Sequence, residues 1–204
     1  MIFRLQIVLL LFQDVFSNNI ENSIQFSTPP LYDAVASLTD EENFIISPLS
    51  INMVMSMLYI GTQEGSDSDI QLKNAFRFEN KAQNSLLPSV KKIVSDLENY
   101  STDNTTILLA NALFKSDSNV DLKWNFEIHM KNNFRASIES VNFGRKDIAV
   151  KRINDWAANK TRNLIPELVS GSSINEDTKL ILTNAIYFKS KVFHLKDSLF
   201  SINN

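Results

Sequence analysis

Two stretches of the chain, ILLANALFK at Ile107 to Lys115 and LILTNAIYFK at Leu180 to Lys189, are nearly unbroken apolar runs, each carrying one amide, Asn111 or Asn184. A strand with one wet face alternates polar and apolar positions; these do not, so they predict central strands of a sheet covered on both faces. An amide buried in such a strand must find hydrogen-bond partners. Elsewhere the apolar positions follow a helical period. Thr28 can cap a helix starting at Pro29-Pro30, with Leu31, Ala34, Val35 and Leu38 on one side and Thr39 to Glu42 as its stop. Asn43 to Ile46 predicts a short strand. Ser47-Pro48 opens a second helix, with Ile51, Val54, Met55 and Leu58 on one face and Met53 and Met57 on the other, so it is expected to be central and buried up to Gly61.

Gly61 to Gly65 predicts a turn, followed by a short helix from Ser66 through Ala75 and an amphipathic helix over 83–98 carrying Val90, Ile93, Val94 and Leu97. Beyond the first apolar strand, Trp124, Phe126, Ile128 and Met130 predict a helix and Ile138 to Phe143 a strand. Ala149, Ile153, Trp156 and Ala157 form one helical stripe ending near Asn163, with Pro166 reinforcing the stop. Helices first, then strands alternating with helices, predict a mixed α/β (α+β) domain with helices packed on a sheet.

Composition narrows the chemistry. With 204 residues, 44% hydrophobic and 21% charged, the chain is an ordinary globular one, and a net charge of -3 gives no electrostatic reason to expect nucleic acid or an anionic membrane as partner. Lys91-Lys92 reads as a solvated helix face, and the methionines of the second helix read as core. There are no cysteines, which leaves out disulfides and thiol chemistry. The two histidines, His129 and His194, provide no placed base for a serine triad, and no clustered metal-ligand spacing occurs. Asp40-Glu41-Glu42 reads as a solvated turn, and Gly61 to Gly65 lacks the lysine and glycine spacing of a phosphate loop. No enzyme, cofactor or metal is expected.

Residues 1–17 stand apart. Arg4 followed by the apolar run Leu5 to Phe12, then small residues at Val15 and Ser17, predicts a secretory signal peptide cleaved after Ser17 and a secreted domain over 18–204. In that compartment the sequons at Asn99, Asn104 and Asn159 become candidate glycosylation sites.

Seven stretches in order resemble the serpin family, the serine protease inhibitors. They are NFIISPLSI at Asn43 to Ile51, MLYIG at Met57 to Gly61, Gln71-Leu72 with Phe76 and Phe78, LANALF at Leu109 to Phe114, SVNF at Ser140 to Phe143, INDW at Ile153 to Trp156 with Thr161, and LTNAIYFK at Leu182 to Lys189. The resemblance covers about Leu31 to Lys189, the N-terminal half of a serpin. It implies that Ile107 to Lys115 and Thr178 to Lys189 are strands of the family's large central sheet A, crossed by the Ala149 to Thr161 helix. It also implies that Ser47, Ser50 and Asn184 belong to the polar shutter that lets that sheet open; read from the residues alone, they are helix capping and satisfied core polarity. Where the family has glycine and tryptophan this chain has Ser190 and Val192, and Val192 to Asn204 leaves the pattern.

By resemblance the partner is a serine protease, held when a reactive-centre loop is cleaved and inserts into the sheet. The expectation is a truncated serpin fold without that loop, without the shutter histidine and without the sheet neighbour of Thr178 to Lys189, unable to inhibit alone. The alternative readings are a non-inhibitory interaction protein that pairs its exposed strand edge with another chain, and an incomplete gene product.

Overall fold

The computed structural model describes residues 18–39, 44, 46–78, 83–100, 102, 104–118 and 120–190. Among these described residues six helices and three strands follow in the order α1 (Asn18–Leu38), α2 (Pro48–Gly61), α3 (Asp67–Phe76), α4 (Leu87–Asn99), β1 (Thr105–Ser116), α5 (Trp124–Asn132), β2 (Ser137–Val141), α6 (Lys146–Lys160) and β3 (Leu180–Ser190), with single 3-10 turns at Gln83–Leu86 and Gly171–Ser173. The fold is mixed helix and strand, as the order of sequence patterns predicts. The signal peptide expected over 1–17, Asp40 to Asn43, Ile45 and 191–204 lie outside the described residues, so the predicted short strand at Asn43 to Ile46 is described only at Phe44 and Ile46, neither in regular structure.

The sheet has the order β2-β1-β3. β1 runs parallel to β2 from Ala112↔Ser137 to Ser116↔Val141. It runs antiparallel to β3 along its whole length, Thr105↔Ser190 to Lys115↔Leu180, and this register sets Asn111 opposite Asn184. The two apolar runs are therefore neighbours.

Period-2 alternation divides the sheet into two covered faces. Ile107, Leu109, Leu113, Leu180 and Leu182 belong to a core with Met53, Met57 and Ile60 of α2, Val90, Ile93, Val94 and Leu97 of α4, and Met130 of α5. Ala112, Phe114, Ala185 and Ile181 belong to a second core with Ala149, Ile153, Trp156 and Ala157 of α6. The stripe on α6 thus packs where its spacing predicts, and Phe114 meets Trp156 edge-on at 5.9 Å between centroids.

Two local expectations are corrected. The first helix does not begin at Pro29; it begins at Asn18 and runs through Pro29-Pro30. The prolines remove backbone donors, but just upstream the Thr28 hydroxyl donates to the Ile24 carbonyl at 2.6 Å, and Ile20, Ser23, Ile24 and Ser27 are buried, so tertiary packing holds a turn that proline would otherwise start. The second correction is the inner face of α2. Met53, Met57 and Ile60 with Asn52, Ser56 and Tyr59 are its buried positions, whereas Leu58 is exposed and Ile51, Val54 and Met55 are half-buried. A helix apolar on all sides has a weak directional signal, so its orientation is set by its neighbours.

Candidate functional site

The arrangement with most chemical potential is the polar material where α2 meets the sheet, together with the outer edge of β3. Ser47 caps α2: its hydroxyl accepts from the Ser50 backbone N–H at 3.2 Å and from the Ser50 hydroxyl at 3.0 Å. Ser47-Pro48 starts this helix because serine satisfies an orphan N–H and proline fills a first-turn position that needs no donor.

On the sheet, Asn111 donates to the Phe134 carbonyl at 2.6 Å, and its own carbonyl accepts from the Asn184 amide at 2.8 Å. Asn184 Oδ1 is buried without a hydrogen-bond partner, and so is Ser56 Oγ on α2, the helix that packs against β3. The predicted shutter residues thus fall into two bonded pairs, Ser47–Ser50 and Asn184–Asn111, and no described hydrogen bond links one pair to the other.

β3 pairs with β1 and, among the described residues, with nothing else. Leu113 and Phe114 of β1 are fully buried while their partners Leu182 and Ile181 on β3 are half-buried; farther along the ladder the order reverses, with Ala185 and Tyr187 of β3 buried opposite half-buried Ala110 and Leu108.

Sequence reasoning missed three polar hubs, two of them buried (Asn52 and Asp69) and one half-buried (Asn154). Asn52 accepts from Ser23 Oγ at 2.7 Å and donates to Ser27 Oγ and the Pro48 carbonyl, tying α1 to α2. Asn154 on α6 accepts from the Leu168 and Val169 backbone N–H groups and donates to the Val169 carbonyl, fastening the segment that leads to β3. Asp69 accepts from Gly65 N–H, Lys73 Nζ and Gln83 Nε2, closing the turn between α2 and α3. The Gly65 N–H, with lesser help from Lys73 and Gln83 and against burial, holds the Asp69 carboxyl below its ordinary range, and the bond to Asp69 raises Lys73. A lone polar residue in an apolar helical pattern is the available signal, and it marks Asn52.

Asn99, Asn104 and Asn159 are all exposed. Asn159 also lines, with Glu98, Lys160 and β1 residues 107–110, an open cleft of about 320 Å³. His129 is half-buried in the last turn of α5, and His194 lies outside the described residues. Among the described residues no group of three or more His, Asp or Glu side chains could hold a metal ion, and no helix is long and apolar enough to cross a membrane.

Comparison with known proteins agrees with this geometry. The family model described as serpin (serine protease inhibitor) matches residues 22–194. The chain is 32% identical over 181 residues to the leukocyte elastase inhibitor of Bos taurus, covering 84% of this chain and 46% of that protein. It is 26% identical over 161 residues to serine protease inhibitor 42Dd of Drosophila melanogaster, covering 79% of this chain and 42% of that one. The solved structure of emu ovalbumin (Dromaius novaehollandiae) superposes with a TM-score of 0.77, covering 88% of this chain and 50% of its own at 24% identity, a likeness of fold. The chain spans less than half the length of the curated relatives it matches.

Proposed function

The chain belongs to the serpin family, and from that premise we propose that it is a secreted relative of the serine protease inhibitors that carries half of their central-sheet machinery and does not trap a protease by itself. The observation supporting this is the outer edge of β3, unpaired among the described residues, in a chain spanning less than half of its inhibitor relatives. Trapping requires a bait loop and a sheet that closes around the cleaved strand. Both belong to the part of the family that these 204 residues do not match. Incubating the purified chain with a panel of serine proteases and running denaturing electrophoresis is expected to give no detergent-stable adduct; an adduct overturns this reading.

In the same reading, residues 1–17 are a signal peptide, Asn99, Asn104 and Asn159 are open to glycosylation, and Ser47, Ser50 and Asn184 are the remnant of a shutter. Terminal sequencing of secreted protein is expected to begin near Asn18, and recovery of the chain only inside cells with Met1 intact overturns secretion. A second reading, favoured by the half-buried apolar side chains along β3, is an interaction protein that pairs this edge with another strand.

A further inference from the structure

We propose that Asn159 is a folding-gated N-glycosylation site: its sequon accepts an oligosaccharide only while the end of α6 is unwound, and the folded chain closes it. The setting rests on the secretion reading above; the test does not use secretion.

The chemistry states what a sequon must offer. The asparagine Nδ2 displaces the diphosphate from C1 of a lipid-linked oligosaccharide: one N–C bond forms, the C1–O bond to phosphate breaks, the diphosphate leaves with its lipid, and an amide proton is lost to solvent. The transferase also reads the hydroxyl two residues on, so Asn159 works only if Thr161 is within reach, and such acceptors belong to surface loops.

The fold meets half of that requirement. Asn159 is exposed, but it lies inside α6, and Thr161 is 1% exposed. Every polar group of Thr161 is engaged. Its backbone N–H and its hydroxyl both donate to the Ala157 carbonyl, at 3.0 and 2.8 Å, its hydroxyl accepts from the Ile165 N–H at 3.0 Å, and its carbonyl accepts from the Leu164 N–H at 3.1 Å. Arg162 and Asn163 follow with φ of 52° and 62°, and the Asn163 N–H donates to the Ala158 carbonyl at 2.8 Å. This left-handed pair makes the sequon part of a helix stop rather than a loop.

Thr161 cannot be freed alone. Its acceptor belongs to Ala157, which is fully buried and shares the core under α6 with Ile153 and Trp156. Downstream, Asn154 holds the Leu168 and Val169 backbone against the same helix. Releasing the hydroxyl therefore means unwinding the last turn of α6, a minor population of the folded chain. Before folding nothing holds it, because an isolated helix of this length is marginal in water. With no cysteine in the chain, no slow disulfide step delays the closure.

The test uses unglycosylated full chain, a purified oligosaccharyltransferase and a lipid-linked oligosaccharide, with Asn159 read by peptide mass spectrometry. The folded chain is expected to be modified at Asn159 at least about tenfold more slowly than a free peptide of residues 153–166, since the reactive form is the unwound minority. Ile153→Asp in the full chain sets a carboxylate in the core beneath α6, and it is expected to bring the rate toward that of the peptide whether it loosens α6 alone or unfolds the chain. Equal rates for folded chain and peptide overturn the gate. A peptide that is not modified also overturns it, because local sequence then closes the site, as does an Ile153→Asp chain modified no faster than the native one. Recovery of the chain only inside cells overturns secretion and leaves the gate standing.

Discussion

β1 and β3 are two versions of one sequence pattern with different fates. Both are apolar runs interrupted by one asparagine, and both have helices on both faces. β1 has a strand on each side, and Ala112, Leu113 and Phe114 are fully buried. Among the described residues β3 has a strand on one side, and Ile181 and Leu182, in register with Phe114 and Leu113, remain half-buried, although Ala185 and Tyr187 are buried opposite half-buried Ala110 and Leu108. Apolar pattern thus states what a strand can bury, and its neighbours state what it does bury.

The sharpest break of this contrast is a pair of truncations across the ladder. Phe114→Ala is expected to cost about 3–5 kcal/mol, because it empties a closed site against Trp156, while Ile181→Ala directly opposite costs about 1–2 kcal/mol. Urea unfolding of both variants measures the gap; equal losses mean that β3 is as enclosed as β1.

The paired amides give the next effect. Asn111→Ala removes an acceptor from Asn184 and a donor from the Phe134 carbonyl, and is expected to cost about 2–3 kcal/mol. Asn184→Ala, whose Oδ1 makes no hydrogen bond, is expected to cost about 1 kcal/mol. A reversal of that order in thermal unfolding would show that the amide on β3, not the one on β1, anchors the pair.

Away from the sheet, Asp69 provides a rigid counterpart to the open edge. Its folded carboxyl is held below the ordinary range, so its contribution is present above the unfolded value of about 4 and disappears as pH falls through the folded value. Asp69→Asn is expected to cost about 1–2 kcal/mol at neutral pH and to flatten the acid limb of a stability-against-pH curve. An acid limb unchanged by the substitution removes Asp69 as its cause. The smallest effect is expected at the solvent-exposed Lys92–Asp96 pair on α4, where Lys92→Ala should change stability by less than about 0.5 kcal/mol, a baseline for the other three.

Much of this was legible without coordinates. Unbroken apolar runs identified both long strands, a single stripe identified α6 and the face it presents, and the ordered motifs from Asn43 to Lys189 identified the family, because short-range periodicity and local spacing are properties of the chain itself. What required the tertiary structure was every choice among faces and partners. The all-round apolar α2 carries no preferred direction, so only packing against α1 and β3 turned Met53 and Met57 inward and Leu58 outward. The α1 helix passes through Pro29-Pro30 because burial of Ile20 and Ile24 outweighs a local stop signal. The amide network was visible only as a requirement: two buried asparagines had to be satisfied, but the register that sets Asn111 opposite Asn184 joins residues seventy-three positions apart, and no local pattern encodes a distance of that kind.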